Sequence, residues 1–215
     1  MSILYGAPPS PFVRKVMLAH AFKSLPYQLK IVPPGSDDEG FKAASPLGKI
    51  PAYQTDKGTG FADSSVIIAY IEKTSTDVAL YPSDAEDYAM ALWYEEYSDT
   101  KMMEAFGALY FERVVGPKFF NHTTDDERVE LAISKLIPTV LDYLESQITA
   151  DEWLVADQFS SADVAVGAQL VGLIHADYQI DAQKWPKLSA YNERFISHEL
   201  VQAQVQTELG MLNHS

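Results

Sequence analysis

The texture of this 215-residue chain changes near Leu80-Tyr81-Pro82-Ser83, and that change limits what it can fold into more than any other feature. Before it, short apolar runs alternate with short amphipathic ones. After it, apolar residues recur at three- and four-residue intervals over long stretches. Charge changes at the same place: residues 1–83 hold eight Lys and Arg against seven Asp and Glu, whereas residues 84–215 hold eight against twenty-three. The net charge of −14 therefore lies in the second half. Such acidity argues against nucleic acid and anionic membranes as partners, since both require basic surface. With 47% hydrophobic residues the chain can bury a sizeable core, and the break divides it into domains at 1–80 and 84–215.

The first part reads as strands at Ile3-Tyr5, Tyr27-Ile31, Ala52-Gln54 and Gly60-Ala62, with helices at Pro11-Lys23 and Ser65-Thr74 and a short helical turn around Asp38-Ala44. That order suits a small mixed sheet flanked by helices. The second part offers no good strand. It reads as helices over Asp84-Val115, bent at Gly107, over Asp125-Ile148, kinked or split at Pro138, over Ser161-Ile174 and over Pro186-Val205. Ser160-Ser161-Ala162-Asp163 has capping-box spacing and opens the third of these helices. The fold class is thus α/β followed by all-α.

No apolar run approaches the ~20 residues needed to span a bilayer. The first residues lack the basic head and long apolar stretch of an export signal, so a cytoplasmic location is expected. Cysteine is absent, which removes disulfides, thiolate metal sites and a catalytic cysteine. His20, His122, His175 and His198 show no ligand spacing with carboxylates, so no metal site is expected.

Chemistry concentrates near the start. Ser10-Pro11-Phe12-Val13-Arg14-Lys15-Val16 follows the first strand after a short turn. Ser10 fits a helix N-cap and Pro11 the first helical position, where its missing N–H costs nothing. The pair places a hydroxyl and unpaired backbone N–H groups at the positive end of a helix, a place to hold an anion. Ser10 alone is equally well read as a plain cap. Asp63-Ser64, at the entrance to another helix, sets a carboxylate beside a hydroxyl and free N–H groups, or again serves only as a cap.

These motifs carry a resemblance. The Ser10-Pro11-Phe12 run, then Ser45-Pro46-Leu47-Gly48-Lys49-Ile50-Pro51-Ala52, then Phe61-Ala62-Asp63-Ser64-Ser65, then Phe159-Ser160-Ser161-Ala162-Asp163-Val164 together resemble the serine-type cytosolic glutathione transferases in order and spacing. The resemblance implies a thioredoxin-like glutathione-binding domain, an all-helical domain contributing the electrophile site, and a homodimer joined through the third and fourth helices. Its implied activity is attack of the glutathione thiolate on small, mostly apolar electrophiles, a detoxification chemistry, with glutathione as co-substrate. Relatives that keep the fold without catalysis, and glutathione-dependent isomerases, dehalogenases and peroxidases, are the alternatives.

Carried over residue by residue, the resemblance makes Ser10 the donor to the glutathione sulfur, with Tyr5 its rival at the end of the first strand. Arg14 would add positive potential. Ile50-Pro51 would be a cis peptide whose Ile50 backbone pairs with the tripeptide, Lys49 would reach the glycine carboxylate, and Asp63 and Ser64 would hold the γ-glutamyl end. The electrophile would lie between the domains against Phe12, Met103, Phe106 and Tyr110. The energetics are reasonable. A free thiol of pKa ~8.5 is only about 3% ionised at neutral pH, and lowering it enough to make most of it thiolate requires about 2.7 kcal/mol. A hydroxyl bonded to a charged acceptor contributes ~1.5–3 kcal/mol and a helix N-terminus ~0.3–1 kcal/mol, which together suffice.

Overall fold

β1 (Ile3–Tyr5), α1 (Pro11–Phe22), β2 (Gln28–Lys30), α2 (Glu39–Ala44), β3 (Ala52–Gln54), β4 (Gly60–Ala62) and α3 (Ser64–Thr74) follow one another in a computed structural model that describes residues 1–75, 77–149 and 152–213. The strands form one sheet in the order β2-β1-β3-β4. β1 runs parallel to β2 and antiparallel to β3, and β3 runs antiparallel to β4. Successive strand residues face opposite sides of a sheet. Tyr5 and its cross-strand partner Ala52 accordingly pack with Phe41 and Ala44 of α2. Leu4 and Tyr53 are likewise paired and buried, as are Val13 and Val16 of α1 and Ile67, Ile68 and Ile71 of α3. This is the thioredoxin-like arrangement. β2 is one residue shorter at each end than the Tyr27-Ile31 run, because the Tyr27 ring lies 4.4 Å from that of His20 and Ile31 remains 59% exposed.

The chain divides into two compact units, Met1–Leu80 and Tyr81–Ser215. Among the described residues the second contains no named strand; it consists of α4 (Ala85–Tyr97), α5 (Met103–Tyr110), α6 (Gly116–Phe119), α7 (Asp126–Leu131), α8 (Ile137–Gln147), α9 (Ser161–His175), α10 (Pro186–Ser197) and α11 (Glu199–Asn213). The expected helix over 84–115 is interrupted by wide π-helical turns at Ser98–Met102 and Phe111–Val115, whereas Gly107 lies inside regular α5. Gly107 makes room instead: a Cβ there would stand 2.5 Å from Cε of Met103. A third wide turn, Ala132–Leu136, directly precedes the proline at the start of α8, where the helical hydrogen-bond pattern must adjust to a residue without an N–H. The expected helix over 186–205 is two helices, α10 and α11, parted at His198 (φ −65°, ψ 130°). Leu109, Leu141, Leu144, Leu170 and Tyr191 are among the residues that build the shared core of this unit.

Asp163 anchors that core. Its carboxylate is fully buried and accepts from Ser160 N–H (2.9 Å), the Ser160 hydroxyl (3.2 Å), Leu154 N–H (3.1 Å) and the Tyr191 hydroxyl (3.1 Å). The capping box at the start of α9 is therefore also the point where a preceding loop and α10 are tied in. Burial pushes this carboxyl up to about 6, against the pull of those hydrogen bonds. No helix among the described residues is long and apolar enough to cross a membrane.

Candidate functional site

The turn from β1 into α1 is built by the backbone. Ser10 N–H donates to Ala7 C=O (2.9 Å), and Ser10 C=O accepts from Arg14 N–H (2.8 Å), which fixes Ser10 at the N-cap in an extended conformation (φ −68°, ψ 127°). Its hydroxyl, however, caps nothing in α1. With Pro11 lacking an N–H, the unpaired N–H groups of the first turn belong to Phe12 and Val13. Ser10 is half-buried. A cap that leaves its hydroxyl off the helix is available to an incoming acceptor. Arg14 is fully buried and its guanidinium donates to Pro9 C=O at 3.3 Å, so it braces the residue preceding Ser10.

Tyr5 takes the other direction. It is 2% exposed, and its hydroxyl occupies the space beside Gly40 of α2, where a Cβ would come within 2.4 Å. Its ring packs with Phe41 at 6.4 Å.

The loop before β3 contains the Ile50-Pro51 bond, which is cis. Ser45 organises this loop: its hydroxyl donates to Lys49 C=O (2.7 Å) and accepts from Lys49 N–H (3.0 Å). Ile50 lies against the β1–α1 turn, since a Cβ on Gly6 would meet Val13 at 2.5 Å and Ile50 Cβ at 3.5 Å. The Lys49 side chain is exposed.

Asp63 is the N-cap of α3, and one of its carboxylate oxygens accepts from both Ser65 N–H (3.0 Å) and Val66 N–H (3.2 Å). It holds this position with φ 84° and ψ 130°, outside the usual range of a side-chain-bearing residue. Asp63 is exposed, and Ser64, the first helical residue, is 2% exposed. Behind them the ammonium of Lys15, 1% exposed, donates to the Ser65 hydroxyl at 2.9 Å. α1 thus brings two buried cations, Arg14 and Lys15, to the part of this unit that holds the turn and the α3 entrance. Neither the clamp by Ser45 nor the burial of Lys15 is written in the sequence pattern, where both residues read only as members of their motifs.

The residues considered for the electrophile divide. Phe106 and Tyr110 are 1% and 3% exposed and belong to the core of the helical unit. Phe12 and Met103 are half-buried, and the Met103 sulfur lies 4.0 Å from the Gln169 amide. His20 is buried under Tyr27 and Tyr53, with Nδ1 3.1 Å from Leu25 C=O, and burial lowers it to about 4. Among the described residues, no group of three or more His, Cys, Asp or Glu is placed to hold a metal ion.

Comparison with known proteins bears on the whole of this arrangement. Residues 4–78 match the family described as glutathione S-transferase, N-terminal domain, and residues 110–208 match glutathione S-transferase, C-terminal domain. The chain belongs to the glutathione transferase superfamily. A probable glutathione S-transferase of Glycine max is 23% identical over 208 residues, covering 92% of this chain and 85% of that one. The crystal structure of a glutathione S-transferase from Rhodospirillum rubrum superposes with a TM-score of 0.84 at 22% identity, covering 95% of this chain and 91% of that one. A glutathione S-transferase from Methylobacterium radiotolerans, solved in complex with glutathione sulfonate, has a TM-score of 0.76 at 25% identity over 95% of this chain and 94% of its own. In transferase terms, the β1–α1 turn, the cis-proline loop and the α3 entrance all fall within the matched N-terminal domain.

Proposed function

We propose that this protein is a catalytically active glutathione transferase: it ionises the thiol of bound glutathione and directs it at small, mostly apolar electrophiles. The observation that carries this reading is the Ser10 hydroxyl, set at the N-terminus of α1 yet capping none of its N–H groups. It donates to the sulfur, and the first-turn N–H groups and helix dipole add to the preference for the anion. The chain has no cysteine of its own, so the nucleophilic sulfur comes with the co-substrate. Ile50 pairs through its backbone with the tripeptide, beside Pro51, while Lys49 meets the glycine carboxylate. Asp63 holds the γ-glutamyl ammonium, and Ser64 with the α3 N-terminus takes its carboxylate. Phe12 and Met103, both half-buried, are the residues proposed to meet the electrophile. A homodimer is proposed from the exposed apolar residues Val66 on α3 and Tyr88, Met90, Leu92 and Trp93 on α4. The cytosol, with its reduced thiol pool, is the proposed compartment.

The test is Ser10→Ala. Loss of one hydrogen bond to a charged sulfur is worth ~1.5–3 kcal/mol, so conjugation of a model aryl halide should slow by about 10- to 100-fold while glutathione remains bound. Ultraviolet titration of bound glutathione should show its thiol ionising at lower pH than in buffer, and Ser10→Ala should abolish most of that difference. A wild-type chain that binds glutathione without shifting its ionisation is a binding module, and the catalytic reading fails.

A further inference from the structure

Of the residues of α5, only Met103, Glu104 and Ala108 are not buried, and they lie on one side of the helix. Gly107 stands on that same side, four residues from Met103 and three from Glu104, yet it is buried. The Met103 side chain covers it: a Cβ on Gly107 would stand 2.5 Å from Cε of Met103, 2.9 Å from its Sδ and 3.6 Å from its Cγ. The thioether therefore lies along α5. It is held from a second direction by Gln169 of α9, itself 3% exposed, whose amide donates to the sulfur at 4.0 Å. Glycine is a poorer choice than alanine inside a helix, because it gives up more backbone freedom. What it supplies here is the space that a methyl group would take. Met103 also follows directly on the wide turn Ser98–Met102, a kind of irregularity that recurs at functional sites.

We propose that Gly107 is a specificity-determining residue and that the electrophile site is built for flat aromatic rings. With no Cβ at position 107, Met103 lies down and offers the side of its thioether, a polarisable surface that favours aromatic contact. A methyl group at 107 would lift the end of Met103 into the space where the ring rests, since Gln169 closes the other way out. A thin alkyl chain needs less of that space and gains less from the sulfur. The proposal rests on the reading of this chain as a working glutathione transferase whose electrophile meets Met103, and it adds the class of electrophile.

The experiment measures kcat/KM of the full chain for 1-chloro-2,4-dinitrobenzene and for 1-iodohexane, in which the glutathione sulfur displaces chloride from a ring and iodide from a chain. In Gly107→Ala the ratio of the two, aryl over alkyl, should fall about tenfold, mostly through KM for the aryl halide. In a Met103→Ala background, where nothing remains to be lifted, the same alanine should change the ratio by less than about twofold; a merely structural role for Gly107 gives no such coupling. The unaltered protein offers a second readout. Its Met103 methyl resonance, assigned through Met103→Leu, should shift under the ring current of S-(2,4-dinitrophenyl)glutathione and hold its place with S-hexylglutathione. A wild-type chain that turns over the aryl halide, with an unchanged ratio in Gly107→Ala, an equal loss in both backgrounds or a Met103 methyl that ignores the aryl conjugate, overturns this inference alone. A wild-type chain that binds glutathione and conjugates neither electrophile overturns the transferase reading and this inference with it.

Discussion

Asp63 holds a backbone conformation that costs a side-chain-bearing residue about 1–3 kcal/mol, and such strain is kept where the neighbouring structure over-determines it. Its cap bonds to Ser65 and Val66 offset part of that cost, so a purely structural role and a ligand role predict different outcomes for one substitution. Asn is as good an N-cap as Asp and tolerates positive φ comparably. Asp63→Asn should therefore change unfolding free energy by less than about 0.5 kcal/mol, yet weaken glutathione about tenfold or more by removing the charge that meets the γ-glutamyl ammonium. Calorimetric titration set beside a denaturation curve separates the two; undiminished binding would reduce Asp63 to a cap. At this scale the sequence is legible where residue type and spacing coincide. Ser10-Pro11 marks a helix start because both residues suit one. That the Ser10 hydroxyl stays off the helix is a matter of its rotamer, which no spacing encodes, and Lys15 is buried by α3, fifty residues further along the chain.

Whole elements respond to their ends. Four hydrogen bonds converge on Asp163, two of them from Ser160 and the others from Leu154 N–H and the Tyr191 hydroxyl. Asp163→Ala removes the acceptor and leaves donors buried without a partner, and each such orphan costs about 1–3 kcal/mol. A loss of roughly 3 kcal/mol or more is expected in chemical denaturation, whereas Asp163→Asn, which keeps one carbonyl acceptor, should lose less. Equal losses in the two variants would assign the effect to charge and not to hydrogen bonding. The capping box is legible because Ser and Asp at that spacing have few other uses before an apolar run. The break between α10 and α11 is not, since the chain carries neither Gly nor Pro there. His198 ends one helix and begins the next by turning extended, its imidazole accepting from Leu200 N–H at 3.3 Å and its carbonyl from Gln202 N–H at 2.9 Å. Imidazole is not among the favoured caps, so periodicity runs straight through it. The wide turns near residue 100 and residue 113 escape for a related reason: adding one residue to a helical turn shifts the apolar stripe without erasing it.

Across the molecule, the two units carry buried groups whose ionisation answers acid in opposite directions. His20 belongs to the N-terminal unit, where burial lowers it from 6.5 to about 4. The unfolded chain therefore binds that proton more readily than the folded one, and stability present above pH 6.5 is lost as pH falls toward 4, on the order of 3 kcal/mol. Asp163 belongs to the helical unit, where burial raises it from 3.8 to about 6. Here the folded state takes the proton first, so the helical unit gains stability as pH falls through 6, by a similar amount. Glu112 of the same unit is lowered by Asp125 N–H, His122 and Arg128, and its contribution begins to be lost only near its ordinary 4.5. Between pH 6 and 4.5, then, acid should loosen the sheet-containing unit while it firms the helical one. Hydrogen exchange read by mass spectrometry at pH 7 and pH 5, corrected for intrinsic exchange rates, scores the units separately. His20→Phe should remove most of the acid response of residues 1–80, and Asp163→Asn that of the helices. A helical unit that loosens between those pH values would remove Asp163 from this role, and a sheet-containing unit that firms would remove His20.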